Sequence, residues 1–188
     1  MQDQLTALLQ AHTASDATEA MHLTTALDFV RSTTDCANRA TLAGHVTASA
    51  WILHPDGKSA LLTHHKKLNR WLQLGGHTDD ADTSVQAAAA REAREESGMA
   101  DLRLLSDALF DVDVHPIPAR GSEPAHYHYD VRFLFQAQQV DFNVSEESHA
   151  LAWVPLATLA AEDGNASVAR MARKSLGVSG LMDVATVK

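Results

Sequence analysis

The sequence predicts an α/β domain in which helices surround a mixed sheet, and three features carry that prediction. The first ~35 residues show apolar residues at helical spacing. From residue 44 onward, short runs rich in Val, Ile, Leu, Phe and Trp alternate with turn signals. Between two of those runs lies one further helical segment, set between a polar loop and Gly98.

Element by element, LTALLQ and ATEAMHLTTALDFVRS read as two helices, with Ser15 or Asp16 as the cap of the second. TTDCANRAT closes that section. GHVTASAWILH and ALLTHHK flank Asp56-Gly57, a turn dipeptide, and so predict a hairpin. Trp71 to Leu74 form a short strand leading into Gly75-Gly76. Thr83 followed by Gln86 has capping-box spacing, which starts a helix over about 84 to 97 that Gly98 stops. DLRLLSDALFDVDVHPI, HYHYDVRFLFQAQ and HALAWVPL supply the remaining strands, with PIPARGSEPA as a loop between the first two. ATLAAE and ASVARMARKSLG close the chain as helices, the second basic on one side with a solvated face. The expected organisation is a helical extension over 1–40, the main α/β domain over 41–160 and a closing helix over 161–188 packed on the same domain.

With 188 residues, 45% of them apolar, the chain suffices for one domain with a proper core. A formal charge of -9 argues against a broad nucleic-acid or anionic-membrane footprint, so an anionic substrate calls for a bridging cation. The single cysteine, Cys36, rules out an intramolecular disulfide and a multi-cysteine zinc site, and fits a reducing compartment. No secretory leader pattern or long apolar run is visible, so a soluble cytoplasmic protein is expected.

The densest feature is REAREE, residues 91–96. At ~100° per residue, Glu92 and Glu96 project within about 20° of Val85, on a stripe shared with Ala89, while Glu95 lies roughly 80° to one side. Glu92 and Glu96 have no cation at i±3 or i±4, and like charges at that spacing repel. A salt-bridged solvated face is one reading. The other is a hard divalent cation among the carboxylates, because Mg²⁺ takes oxygen ligands, keeps several waters and can also grip phosphate oxygens. The double glycine upstream would let backbone approach a ligand closely.

Gly76 and the run Arg91 to Met99 resemble the Nudix box, G-x5-E-x7-R-E-U-x-E-E-x-G-U with U apolar. The second half fits at every specified position. In the first half Asp82 stands where the pattern has glutamate, and eight residues rather than seven separate it from Arg91. The resemblance extends to the order of strands over about 40 to 160. It implies an α/β/α sandwich and a pyrophosphohydrolase that uses Mg²⁺ or Mn²⁺ on a small-molecule diphosphate, often nucleoside-linked. By position, Glu92 and Glu96 would hold metal, Glu95 would be ligand or general base, the Gly76 carbonyl would complete the shell, and Arg91 would orient Glu95. Many such enzymes add a later acidic residue, for which Glu146 and Glu147 are candidates, Glu147 slightly favoured.

No covalent nucleophile is needed: Cys36 lies outside the expected core, and no G-x-S-x-G elbow occurs. His126 and His128 share one face of a predicted strand with Asp130 and Arg132. Zinc there would need further ligands supplied by the fold; substrate contact and a plain polar face are the alternatives. His64, His65, Lys66, Lys67 and Arg70 form the most basic stretch, from which Arg70, with His77 and His128, is taken as substrate-binding. Trp71 and Trp153 are expected in the core. Competing functions are a non-catalytic nucleotide-binding regulator, against which an intact REAREESG speaks, and a diphosphate isomerase, whose catalytic cysteine the Gly75 region lacks. A homodimer is possible through the N-terminal helices.

Overall fold

The computed structural model describes residues 1–185 apart from Ser122 and Glu147, with side chains described to residue 177. Glu147, the favoured late acidic residue, therefore lies outside the described residues. In chain order the elements are α1 (Gln2–Ala11), α2 (Ala17–Ser32), β1 (Gly44–Leu53), β2 (Ser59–His65), β3 (Arg70–Leu72), β4 (Leu74–His77), α3 (Val85–Ser97), β5 (Leu102–Leu104), β6 (Asp111–Ile117), β7 (His126–Ala137), β8 (Ser148–Pro155), α4 (Leu156–Ala160) and α5 (Ala166–Ala185). The hydrogen-bonded strand path is β3-β2-β1-β7-β5, with β4 on β1, β6 on β7 and β8 on β2. The expected α/β class, with N-terminal helices, holds.

The chain clusters into two compact units, and β1, β4, α3 and β7 each contribute residues to both. The first takes Met1–Ala50, Gly75–Glu92 and Ser106–Phe133. Here Asp16 caps α2, accepting the Glu19 N–H at 2.7 Å. Glu19 in turn reaches back to accept the Ser15 N–H at 2.6 Å, one residue before the cap, a variant of the capping box. The Glu19 carboxylate is fully buried, meets His12 Nε2 at 2.8 Å and accepts the Val112 N–H of β6, so α2 is fastened to the strand by a polar hinge pin. Leu5, Leu9, Ala26 and Val30 are buried beside it. Cys36 is buried too, which corrects the expectation that it lies outside the core; burial pushes its thiol up from the ordinary value.

The second unit takes Trp51–Leu74, Ala93–Leu105 and Leu134–Lys188. The hairpin forms as predicted: β1 and β2 pair antiparallel through Ile52 with Leu61, and Gly57 turns with φ +71°. β8 pairs with β2 from Pro155 opposite Ser59 to Ser148 opposite His65. Trp51 is the buried tryptophan, its indole N–H donating to Ser175 Oγ at 2.8 Å. Trp71, expected in the core, is instead 40% exposed and lies against the His64 ring, because β3 is a three-residue strand with little to cover it.

Two other local expectations need correction. The strand predicted over 71–74 is two strands, β3 and β4, which puts both glycines inside β4 rather than after a strand. The start of α3 is capped by Ser84, whose Oγ accepts the Ala87 N–H at 3.0 Å, whereas Gln86 donates to the Asp107 carbonyl. Thr83 and Gln86 have the right spacing, but Ser84 sits one residue nearer the first helical turn and takes the cap.

Candidate active site

Helix α3 buries Val85, Ala88, Ala89 and Ala93, the small-residue stripe seen in the sequence, and Glu96 continues that stripe at 8% exposure. Glu92 is partly buried and Glu95 is exposed. The two glycines of β4 then behave very differently. At Gly76 a Cβ would lie 2.7 Å from the Glu92 carboxyl carbon and from Oε2. Only a residue without a Cβ admits the carboxylate this close to the strand backbone. At Gly75, where φ is +150°, a Cβ would lie 2.5 Å from the Ser49 Cα, so that glycine lets β4 approach β1.

Arg91 gathers this turn. Its Nε and Nη2 form a fork on the two oxygens of Asp82 at 3.1 and 2.9 Å, Nη2 also donates to the His77 carbonyl at 2.9 Å, and Nη1 donates to Glu92 Oε1 at 2.9 Å. Asp82, whose role the longer loop left open, thus ties the loop to the helix. The Arg91 fork holds the Asp82 carboxyl below its ordinary value, against a smaller upward pull from burial. The carboxylates in turn hold Arg91 more firmly protonated. A cleft of about 580 Å³ adjoins the loop, lined among others by Arg39, Thr78, Asp79, Asp80 and Asp82. Its acidic lining suits a cation better than a phosphate.

Other expected residues fall elsewhere. Arg70 is exposed on β3 and its Nη2 donates to the Gly164 carbonyl at 3.3 Å. Glu146 is exposed, and its carbonyl accepts Lys66 Nζ at 2.6 Å. His77 and His128 do come together, in a perpendicular ring contact at 5.2 Å.

Sequence reasoning missed what surrounds that contact. On β7 the even-numbered side chains His126, Asp130 and Arg132 are buried, not a solvated polar face. Register places Asp111 opposite Arg132, Asp113 opposite Asp130 and His115 opposite His128. Two aspartates face each other directly, an arrangement that repels unless a cation intervenes. Arg132 is that cation: it donates to Asp130 at 2.7 Å and Asp111 at 3.1 Å and lies 3.4 Å from Asp113. Thr47 and Ser49 of β1 donate hydroxyls to Asp130. Burial alone would raise Asp113, but Arg132 and the imidazoles His115 and His22 hold it well below the usual carboxylate range. The available signal was period-two polarity in both DVDVH and HYHYDVR, which in paired strands puts every polar residue on one face.

Further along this face, His45, His77, His126 and His128 pack with ring centroids 4.9 to 5.2 Å apart. Burial, and after it the neighbouring imidazoles, push His77 down to about 4 and His128 down to about 2, and lower His45. The rings of His77 and His128 are therefore neutral at neutral pH.

A close-packed glycine strand laid against a carboxylate-bearing helix turn, in an α/β fold, is the arrangement that the Nudix resemblance implies. The chain belongs to the NUDIX family: the NUDIX domain model matches residues 43–174. Among solved structures it is similar to the C. elegans Ap4A hydrolase in a binary complex, at 22% identity over 72% of this chain and 98% of the other, with a TM-score of 0.57. It is also similar to the MutT NUDIX hydrolase from Burkholderia pseudomallei, at 26% identity over 68% and 95% of the two chains, TM-score 0.52. For the E. coli dihydroneopterin triphosphate pyrophosphohydrolase the values are 15%, 70%, 95% and 0.55. A search of curated proteins finds no match. No helix among the described residues is long and apolar enough to cross a membrane.

Proposed function

We propose that this chain hydrolyses the phosphoanhydride bond of a nucleoside diphosphate-linked or related diphosphate compound, with Mg²⁺ or Mn²⁺ as cofactor. The observation that carries the reading is the seat of the Glu92 carboxylate against Gly76, 2.7 Å from where a Cβ would stand. A carboxylate pressed onto a strand backbone, one helical turn before the buried Glu96, is an all-oxygen donor set that suits a hard cation.

Glu92 and Glu96, with the Gly76 carbonyl, are the residues proposed to hold the cation, and Glu147 is retained as a candidate from the later loop. When bound, the cation supplies charge neutralisation of the diphosphate and acidifies a water. Glu95, exposed on the same turn, either adds a ligand or accepts the proton of the water that attacks phosphorus. Arg91 holds Glu92 through its 2.9 Å hydrogen bond, and is proposed to orient Glu95 as well. Of the three expected substrate contacts only Arg70 is retained, since neutral rings at His77 and His128 offer a phosphate no charge. The catalytic domain is taken as 41–160, with 1–40 an extension and 161–188 a closing helix.

The test is turnover of a nucleoside triphosphate, a dinucleoside polyphosphate, a nucleotide sugar and a non-nucleoside diphosphate with Mg²⁺ or Mn²⁺, beside Glu96→Gln. Phosphate or pyrophosphate release that collapses by about 100-fold or more in the variant supports the reading. Absence of turnover while calorimetry records metal binding would replace it with a nucleotide-binding regulator.

A further inference from the structure

The imidazole cluster differs from the carboxylates in chemistry, and its side chains come from three strands. His45 comes from β1, His77 from β4 and His128 from β7. One ring nitrogen from each lies within 4.8 Å of the other two. His45 is 2% exposed, and neither of its nitrogens makes a well-formed hydrogen bond; Nε2 of His77 is likewise buried without one. Buried polar atoms left unsatisfied are costly, and a neutral imidazole has one lone-pair nitrogen, so the converging rings of His45 and His77 present one each to whatever accepts lone pairs.

We infer that His45, His77 and His128 form a binding site for a borderline divalent transition-metal ion, zinc before the others. Neutral imidazole is the ligand form such ions take, and imidazole nitrogens suit zinc where oxygens suit magnesium. Two imidazoles on one tetrahedral zinc have nitrogens about 3.4 Å apart, so the three rings need small rotations to close on an ion. His126 stands beside these three, in ring contact with His45 and His128. Its Nδ1 donates to the Pro124 carbonyl at 2.9 Å, which leaves Nε2 as the lone-pair nitrogen. That Nε2 lies 3.3 Å from Nε2 of His128, already at the spacing of two ligands on one ion. His115, in ring contact with His128, is held by Asp113 at 3.1 Å and serves as a neighbour, not a ligand.

The consequence is structural: one ion would cross-link β1, β4 and β7, and its binding would stabilise the fold. The inference does not depend on the hydrolase reading, since zinc here shares no side chain with the magnesium set.

Purified wild-type chain, stripped with a strong chelator and confirmed folded by circular dichroism, is titrated with Co²⁺ and separately with Zn²⁺. We expect one equivalent of Co²⁺ to produce intense visible absorption of a low-coordinate site, displaced by Zn²⁺, and a rise in Tm of several degrees with zinc. Those signals should persist in Glu92→Gln/Glu96→Gln, which removes the carboxylate set, and weaken more than about tenfold in His45→Gln and His128→Gln. A folded wild-type chain that shows neither the absorption nor the Tm rise overturns the inference without recourse to any variant. So does a signal that survives both histidine substitutions and disappears in the glutamate double variant.

Discussion

Two regions of this protein concentrate charge around one arginine, and they obey different physics. On α3, Arg91 is 30% exposed and holds Asp82 and Glu92 beside solvent, where ion pairs contribute modestly and side chains can move to meet a ligand. On β7, Arg132 is 2% exposed and holds Asp111, Asp113 and Asp130 inside the molecule. There each charge has lost its water, so the set stands or falls together. The same residue types therefore make a responsive site in one place and a fixed polar core in the other.

The sharpest contrast is between loss of activity and loss of fold. Glu95→Gln should lower turnover by about 10²- to 10⁴-fold, the range for removal of a general base, with the urea midpoint near wild type because the side chain is exposed. Unchanged turnover would remove Glu95 from the chemistry. Arg132→Met should do the reverse, lowering stability by about 3–5 kcal/mol in urea titration, since it leaves buried carboxylates without their cation. A loss under about 1 kcal/mol would mean that protonation or water relieves the aspartates.

The two glycines refine the comparison within one strand. Gly75→Ala imposes a side chain at φ +150° against the Ser49 backbone, and should cost about 1–3 kcal/mol of stability or more. Gly76→Ala meets only the end of the flexible Glu92 side chain, so the thermal midpoint should barely move while hydrolysis falls by about tenfold or more. Matching effects of the two substitutions on stability would show that Glu92 is less free to yield than its length suggests.

The smallest effect is expected at the Arg91–Asp82 pair. Asp82→Asn should cost about 1 kcal/mol near neutral pH. The folded-state value of Asp82 is depressed, so its contribution is fully present above the ordinary carboxylate value of about 3.9 and is lost as pH falls through the folded value. The stability gap between wild type and variant should therefore be constant above about pH 5 and shrink below about pH 4. A gap that widens on acidification would reverse the assigned sign.

The two regions also differ in how far they could be read beforehand. The glutamate turn is local: six consecutive residues on one helix, spaced so that repulsion itself is informative, with Gly76 one loop upstream. The hairpin at Asp56-Gly57 and the α/β class were legible for the same reason. The β7 ribbon is not local. Asp111 and Arg132 meet only through strand pairing over 21 positions, and His45 reaches His128 across 83 residues. Histidines on a single strand cannot reveal partners brought by two others. Trp71 and Cys36 were misjudged likewise, because burial depends on which neighbours arrive and not on residue type.

The Arg91 fork has a further bearing on how this sequence can change. Its guanidinium closes the loop from His77 to Asp82 into a ring, with Asp82 also accepting the Asp79 N–H at 2.7 Å. Anchored at both ends, the stretch between Asp82 and the helix can lengthen with little entropic penalty, since closure entropy grows only slowly with length. The extra residue between Asp82 and Arg91, relative to the Nudix pattern, thus leaves the fork of Arg91 on Asp82 intact.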